Sequence, residues 1–195
     1  METNKNGMST RTLALGAVLT ALVVLLQFMG AFVHFGPFSI SLVLIPIVIG
    51  AAIGGVRLGA WLGLVFGLVV LASGDAAAFL AINAPGTILT VLLKGTACGA
   101  LAGLTYQKLA PRSRNVAAAA AAVVCPVVNT GVFLLGCLLF FLDTVAAWGQ
   151  AAGFGSLGAY MIFGLVGGNF LFELGSNVVL SPIVVRLLHI REQSR

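Results

Sequence analysis

The chain has 195 residues, 60% of them hydrophobic and only 8% charged, with a formal net charge of +5; its mean hydropathy is +1.13. Soluble domains carry charge on about a quarter of their residues, so this composition points to an integral membrane protein with no room for a soluble catalytic or nucleotide-binding domain. A membrane-spanning helix takes about 20 residues, which allows about six, and the basic residues lie at the ends of apolar runs, where they report orientation rather than nucleic-acid binding.

The first predicted span covers about 11–32. Lys5 and Arg11 precede it as in a secretory signal. The stretch is nevertheless as long as a full span and every later segment is membranous, so it reads as the first helix, with Ser9 and Thr10 able to cap it. It carries Ala14, Ala17 and Ala21 beside Gly16, small residues that let another helix approach closely in lipid. His34–Phe38 (HFGPF) has a Gly-Pro turn signature. The second span, about 39–56, contains Pro46, which predicts a kink. Arg57 separates it from the third, about 58–72, whose Gly59, Gly63 and Gly67 leave one face nearly bare of side chains.

The segment 73–86 (SGDAAAFLAINAPG) is apolar but punctuated by Gly74, Asp75, Asn83 and Pro85. It reads either as a lid or binding loop or as a short packing segment. The fourth span, about 86–106, holds Lys94 near its middle and Gly95, Gly99 and Gly103 along one face. A polar loop, 107–115, leads to the fifth span, about 116–141, with Pro126 and Asn129. A polar turn region, 142–156, includes Asp143 and Trp148; the sixth span, about 157–188, is followed by a basic tail.

The sequence thus describes one integral membrane domain, residues 1–195, an all-α bundle of six transmembrane helices. Of the ten lysines and arginines, all but Lys94 fall on one side of that arrangement: Lys5, Arg11, Arg57, Lys108, Arg112, Arg114, Arg186, Arg191 and Arg195. The other side carries His34, Asp75 and Asp143. By the positive-inside rule both termini are cytoplasmic.

A charge at mid-membrane costs at least ~2.5 kcal/mol on insertion scales and normally faces a protein interior or a wet cavity. Lys94 has one acidic residue at comparable depth, Glu173, and Asn169, Glu173 and Asn177 are spaced i, i+4, i+8 on one helical face. Lys94, Asn129, Asn169 and Glu173 are therefore expected to converge on a site with donors and acceptors for a small polar solute. A buried Lys94–Glu173 ion pair is the competing reading. Phe79 and Trp148 fall on the outer side and are able to close over an apolar part of a ligand, although Trp148 also suits an interface anchor. Cys98, Cys125 and Cys137 lie in apolar runs without metal spacing and read as packing residues. No HExxH, GxSxG or Walker motif occurs. Neither an enzyme nor a cofactor or metal site is expected, and any energy for transport comes from a partner or an ion gradient.

The order of these segments, with SLVLIPIVIGAAIGG and GAWLGLVFGLVVL followed by GTILTVLLKGTACGALAGLTY, resembles the substrate-binding S components of energy-coupling factor (ECF) transporters, the vitamin importers of bacterial cell membranes. The resemblance covers nearly the whole length. It implies that the alanines of the first helix, Ala14, Ala17 and Ala21, dock onto a transmembrane coupling (T) subunit. Two ATPase subunits would then energise import. It also implies a vitamin bound toward the extracellular side, under loops that here include Asp75, Phe79, Asn83 and Trp148. The second and third helices look most like the pantothenate branch, and Lys94 suits a carboxylate; riboflavin, folate or another vitamin fits the same groups. The alternative is a proton-coupled secondary transporter of a small polar solute, with Glu173 or Asp75 as proton carrier.

Overall fold

The structure is a computed structural model that describes residues 10–30, 34–35, 38–39 and 42–193. Lys5, Ser9 and Arg195 lie outside the described residues, as do Gly36 and Pro37 of the first turn and the side chains of Arg11, His34, Arg186 and Arg191. The described chain is almost wholly helical: α1 Thr10–Gly30, α2 Leu44–Ser73, α3 Ala77–Ile82, α4 Ala84–Leu109, α5 Arg114–Phe140, α6 Leu142–Ala151, α7 Leu157–Ala159, a π-helical stretch Tyr160–Val166, and α8 Gly167–Gln193. A two-residue antiparallel ladder, His34–Phe35 with Phe38–Ser39, sits between α1 and α2. Among the described residues five helical stretches are long and apolar enough to cross a membrane: Thr12–Gly30, Leu44–Ser73, Ala84–Leu109, Arg114–Phe140 and Leu157–Ile183. Large apolar side chains such as Leu139 and Phe163 point outward, an arrangement that suits lipid and not water.

The stretch Leu44–Ser73, where a pair of spans is expected, is interrupted by one non-helical residue. Gly55 adopts φ 65° and ψ −153°, a backbone conformation that residues with a Cβ avoid. The chain turns back there. A Cβ built on Gly59 would lie 3.1 Å from that of Ala51, and one on Gly50 would strike the Leu62 side chain. A straight helix would hold these pairs ~12 and ~18 Å apart. The kink expected at Pro46 is absent, since α2 starts at Leu44 and places this buried proline in the first turn, where its missing N–H has no intrahelical partner to lose. The first arm, 44–54, is only ~16 Å long against a hydrocarbon core of ~30 Å.

The second arm of α2 and helix α4 are antiparallel and their glycines mesh. Added Cβ atoms at Gly59 and Gly63 would collide with the carbonyls of Gly99 and Gly95, and the reverse holds as well; Gly67 meets the Val91 carbonyl, and Gly103 meets Gly55. Two stripes spaced by four residues therefore bring the helices together backbone on backbone, the close approach that drives association in lipid. Helix α5 covers α4 with Ala117, Ala118, Ala121, Ala122 and Cys125, all buried. The three cysteines are free and buried, as packing residues should be.

Side-chain caps fix several helix ends. Asn83 Oδ1 accepts from the Gly86 N–H at 3.0 Å, with Pro85 in the first turn of α4, and Ser113 Oγ accepts from the Val116 N–H at 3.4 Å. Gly74, at φ 89°, ends α2 in the left-handed region. The segment 73–86 thus holds the short helix α3 and the start of α4, and 142–156, expected as a polar turn, holds α6. These junctions define the two ends of the bundle. Thr12, Gly55, Gln107 and Arg114 surround one recess, while Asn83, Pro85, Phe141 and Asp143 surround another at the opposite ends of α4 and α5.

Candidate functional site

Beyond the glycine seam, α2 and α4 part around a cavity of about 530 Å³ lined by α1, α2, α3, α4, α5 and the last helical segments. Helix α4 contributes Thr87, Thr90, Val91 and Lys94, which at i, i+3, i+4 and i+7 form one face. Lys94 follows directly from the seam, because Gly95 must face Gly63 and the preceding side chain is then directed beside that contact. Its Nζ lies 5.5 Å from the centroid of Phe66 and 5.3 Å from that of Phe133, within cation–π range. Helix α5 supplies Asn129, Thr130 and Phe133, and the π turns ahead of α8 deliver Leu165 and Val166.

Asn169 and Glu173 come from the first two turns of α8. The Asn169 Nδ2 donates to Glu173 Oε1 at 3.3 Å, so the amide nitrogen is used and the amide oxygen is left over. Glu173 Oε2 has no hydrogen-bond partner, nor do Asn129 Oδ1, Asn169 Oδ1 and Thr90 Oγ1, although each is a buried atom. All four belong to residues that line this one cavity. The competing Lys94–Glu173 ion pair is therefore not made as a direct bond, although both residues line the same cavity. Asn177 is fully buried but satisfied. It donates to the Glu173 carbonyl at 2.9 Å and accepts from Ser181 Oγ at 3.3 Å; both bonds stay within α8, and Asn177 is no part of the lining.

An aromatic cluster lines one end of the cavity. Phe79 of α3 packs edge to face on Phe141 at 5.0 Å, on Trp148 at 5.4 Å and on Phe133 at 5.6 Å. Beside it, Gln27 Nε2 at the end of α1 hydrogen-bonds Asp75 Oδ2 in the turn after α2.

Six of the eight expected binding residues therefore line the cavity: Lys94, Asn129, Asn169, Glu173, Asp75 and Phe79. Trp148 stands behind Phe79, and Asn83 spends its side chain on capping α4 beside a separate shallow recess. Ala14, Ala17 and Ala21 are exposed on the outer face of α1, whereas Gly16 is turned toward Leu58. Sequence reasoning missed Gln27, Thr87, Thr90, Phe66 and Phe133. Two signals were there to find: Thr87 and Thr90 share the helical face of Lys94, and Gln27 is an amide near the end of an otherwise apolar run. The phenylalanines carry no such signal, since thirteen of them are spread along the chain.

A sequence model of the family described as "ECF transporter, substrate-specific component" matches residues 11–185. Comparison with curated proteins returns no match.

Proposed function

The chain belongs to the substrate-specific components of ECF transporters, a transport family of multi-pass membrane proteins and not of enzymes, and from that premise we propose that its cavity captures a vitamin or related micronutrient for import across a bacterial cell membrane. The observation that carries this reading is the convergence on one cavity of the four unpartnered buried side-chain polar atoms found among the described residues. Leaving a buried polar group unpaired costs about 1 to 3 kcal/mol. A ligand that supplies the missing partners recovers that cost, whereas a purely structural core would have no reason to incur it four times in one place.

Lys94, Asn129, Asn169 and Glu173 are the proposed contacts in the cavity, Asp75 and Phe79 guard its mouth, Trp148 braces Phe79, and Asn83 holds the adjoining helix start. Pantothenate is the first candidate, with Lys94 taking its carboxylate; riboflavin and folate are the others. The bundle is proposed to cross the membrane in six segments, with 44–54 as a short second one, and with both termini cytoplasmic. That arrangement gathers Arg57, Lys108, Arg112 and Arg114 at one end, in keeping with the positive-inside rule. The exposed Ala14, Ala17 and Ala21 stripe is proposed to dock onto the T subunit, with two ATPase subunits energising import.

Mass spectrometry of small molecules released from the detergent-purified protein tests the binding role. A micronutrient present in wild-type protein and absent from Lys94→Ala is expected. Uptake by the chain alone, without T and ATPase subunits, would instead favour a proton-coupled transporter. The docking assignment has its own test: Ala17→Trp should abolish uptake and leave binding intact, and retained uptake would remove it.

A further inference from the structure

The unpartnered atoms in the cavity are not a random mixture, and their kind constrains the solute. Three of the four, Asn129 Oδ1, Asn169 Oδ1 and Glu173 Oε2, are acceptors. Glu173 is 3% exposed, Asn129 and Thr90 5% each, so water reaches these groups poorly. The orientation of Asn169 follows from the carboxylate. Glu173 Oε1 takes the Asn169 amide nitrogen, which leaves the Asn169 oxygen over. Asn129 Oδ1 and Glu173 Oε2 have no partner either, and all three oxygens belong to residues that line the cavity. Three acceptor oxygens without a donor among them make a patch that only N–H or O–H groups satisfy.

Lys94 is the opposite kind of group. It has three N–H donors and no acceptor, and two phenylalanine rings hold its ammonium in place rather than a carboxylate at bonding distance. An acidic or strongly accepting group completes it with a charge-assisted bond. The two patches share a cavity of about 530 Å³, within the range of small-molecule sites, whose apolar lining includes Phe66, Phe133 and Val91.

We infer that the solute carries two polar groups of opposite kind on one small apolar body: an N–H or O–H donor group met by Asn129, Asn169 and Glu173, and an acidic or acceptor group met by Lys94. This deepens the binding role proposed above and rests on it. It discriminates among acids as well as against them. Carboxylates that bear no donor, such as nicotinate and lipoate, leave the three acceptors unpaired and are rejected; pantothenate and biotin, which have amide or ureido N–H groups as well as a carboxylate, satisfy both patches. Pantothenol, the alcohol of the first, keeps the donors and loses the anion.

The test uses the full detergent-purified chain and needs no variant to begin. Solutes extracted from it are identified by mass spectrometry, and the thermal midpoint is recorded with pantothenate, biotin, nicotinate, lipoate, pantothenol and biotin methyl ester. The expected result is an extracted solute with both groups, stabilisation by pantothenate or biotin, and none by nicotinate or lipoate. Masking the acid, as pantothenol or the methyl ester, is expected to weaken binding about 10- to 100-fold in wild type and less than about threefold in Lys94→Met. Tight binding of nicotinate or lipoate, an extracted solute without donors, or indifference of the wild type to masking the acid would each overturn this inference while leaving the binding role standing. An empty extract together with no stabilisation by any of the six would remove the binding role itself, and the inference with it.

Discussion

From Gly55 to Gly67 the backbones of α2 and α4 touch, and from Phe66 and Val70 across to Thr87 and Lys94 the same two helices face a cavity. In the first region every turn offers a glycine to the opposing backbone. In the second the glycines give way to phenylalanine, threonine and lysine, the helices part, and buried oxygens go without partners. Together the regions show a division of labour along one helix pair. Close packing in lipid is obtained by removing side chains, because dispersion depends on proximity; a binding site is obtained by restoring them and leaving their hydrogen-bonding capacity unused.

Substitutions in the two regions should therefore fail in opposite ways, and the largest effect belongs to the seam. Gly63→Leu places a side chain against the Gly95 carbonyl, a backbone atom that has no rotamer into which to retreat. A loss of roughly 3 kcal/mol or more is expected, seen as aggregated protein on size-exclusion chromatography or a collapsed thermal midpoint. A well-behaved, ligand-competent Gly63→Leu would show that the seam is not what holds the bundle.

Lys94→Met inverts that pattern. The side chain keeps its length and its phenylalanine neighbours, so the midpoint should stay within about 3 °C of wild type, while affinity for an acidic solute falls about 10- to 100-fold in calorimetric titration. A Lys94→Met protein that unfolds would instead assign the ammonium to the fold. Glu173→Gln sharpens the contrast further. The amide oxygen still accepts from Asn169, but a donor now stands where Oε2 was, so a donor-bearing solute should lose affinity by roughly tenfold or more with little change in the midpoint. The smallest effect is expected at the mouth. Gln27→Leu removes the bond to Asp75 and should raise the solute's dissociation rate a few-fold in stopped-flow Trp148 fluorescence, with a stability change of about 1 kcal/mol or less. An unchanged dissociation rate would show that the Gln27–Asp75 contact does not close the mouth.

Much of this contrast is legible along the chain. The four-residue spacing of Gly59, Gly63 and Gly67 and of Gly95, Gly99 and Gly103 announces two faces made for close approach, and the structure pairs them. The intramembrane polar residues announce a site through their cost alone, and Lys94, Asn129, Asn169 and Glu173 do line one cavity. The turn at Gly55 is different. A glycine beside another glycine and ahead of Arg57 marks a boundary, but only its φ of 65° makes α2 a hairpin, and the proline that looked like the break turned out to lie in a first turn. Asn83 likewise reads as a loop polar group until its side chain is seen capping α4.

Sequence by itself determined that this is a membrane protein, where its apolar runs lie, which helix faces are bare, and which few polar residues need an explanation, because transfer into lipid is decided residue by residue and helical periodicity is local. Tertiary structure alone decided that Lys94 and Glu173 share a cavity without a direct bond, that both asparagine oxygens are left without a partner, and that Phe66 and Phe133 join them. Those facts depend on the register at which glycine meets glycine across two helices, and a register between distant segments is set by packing in space, which neither stretch encodes alone.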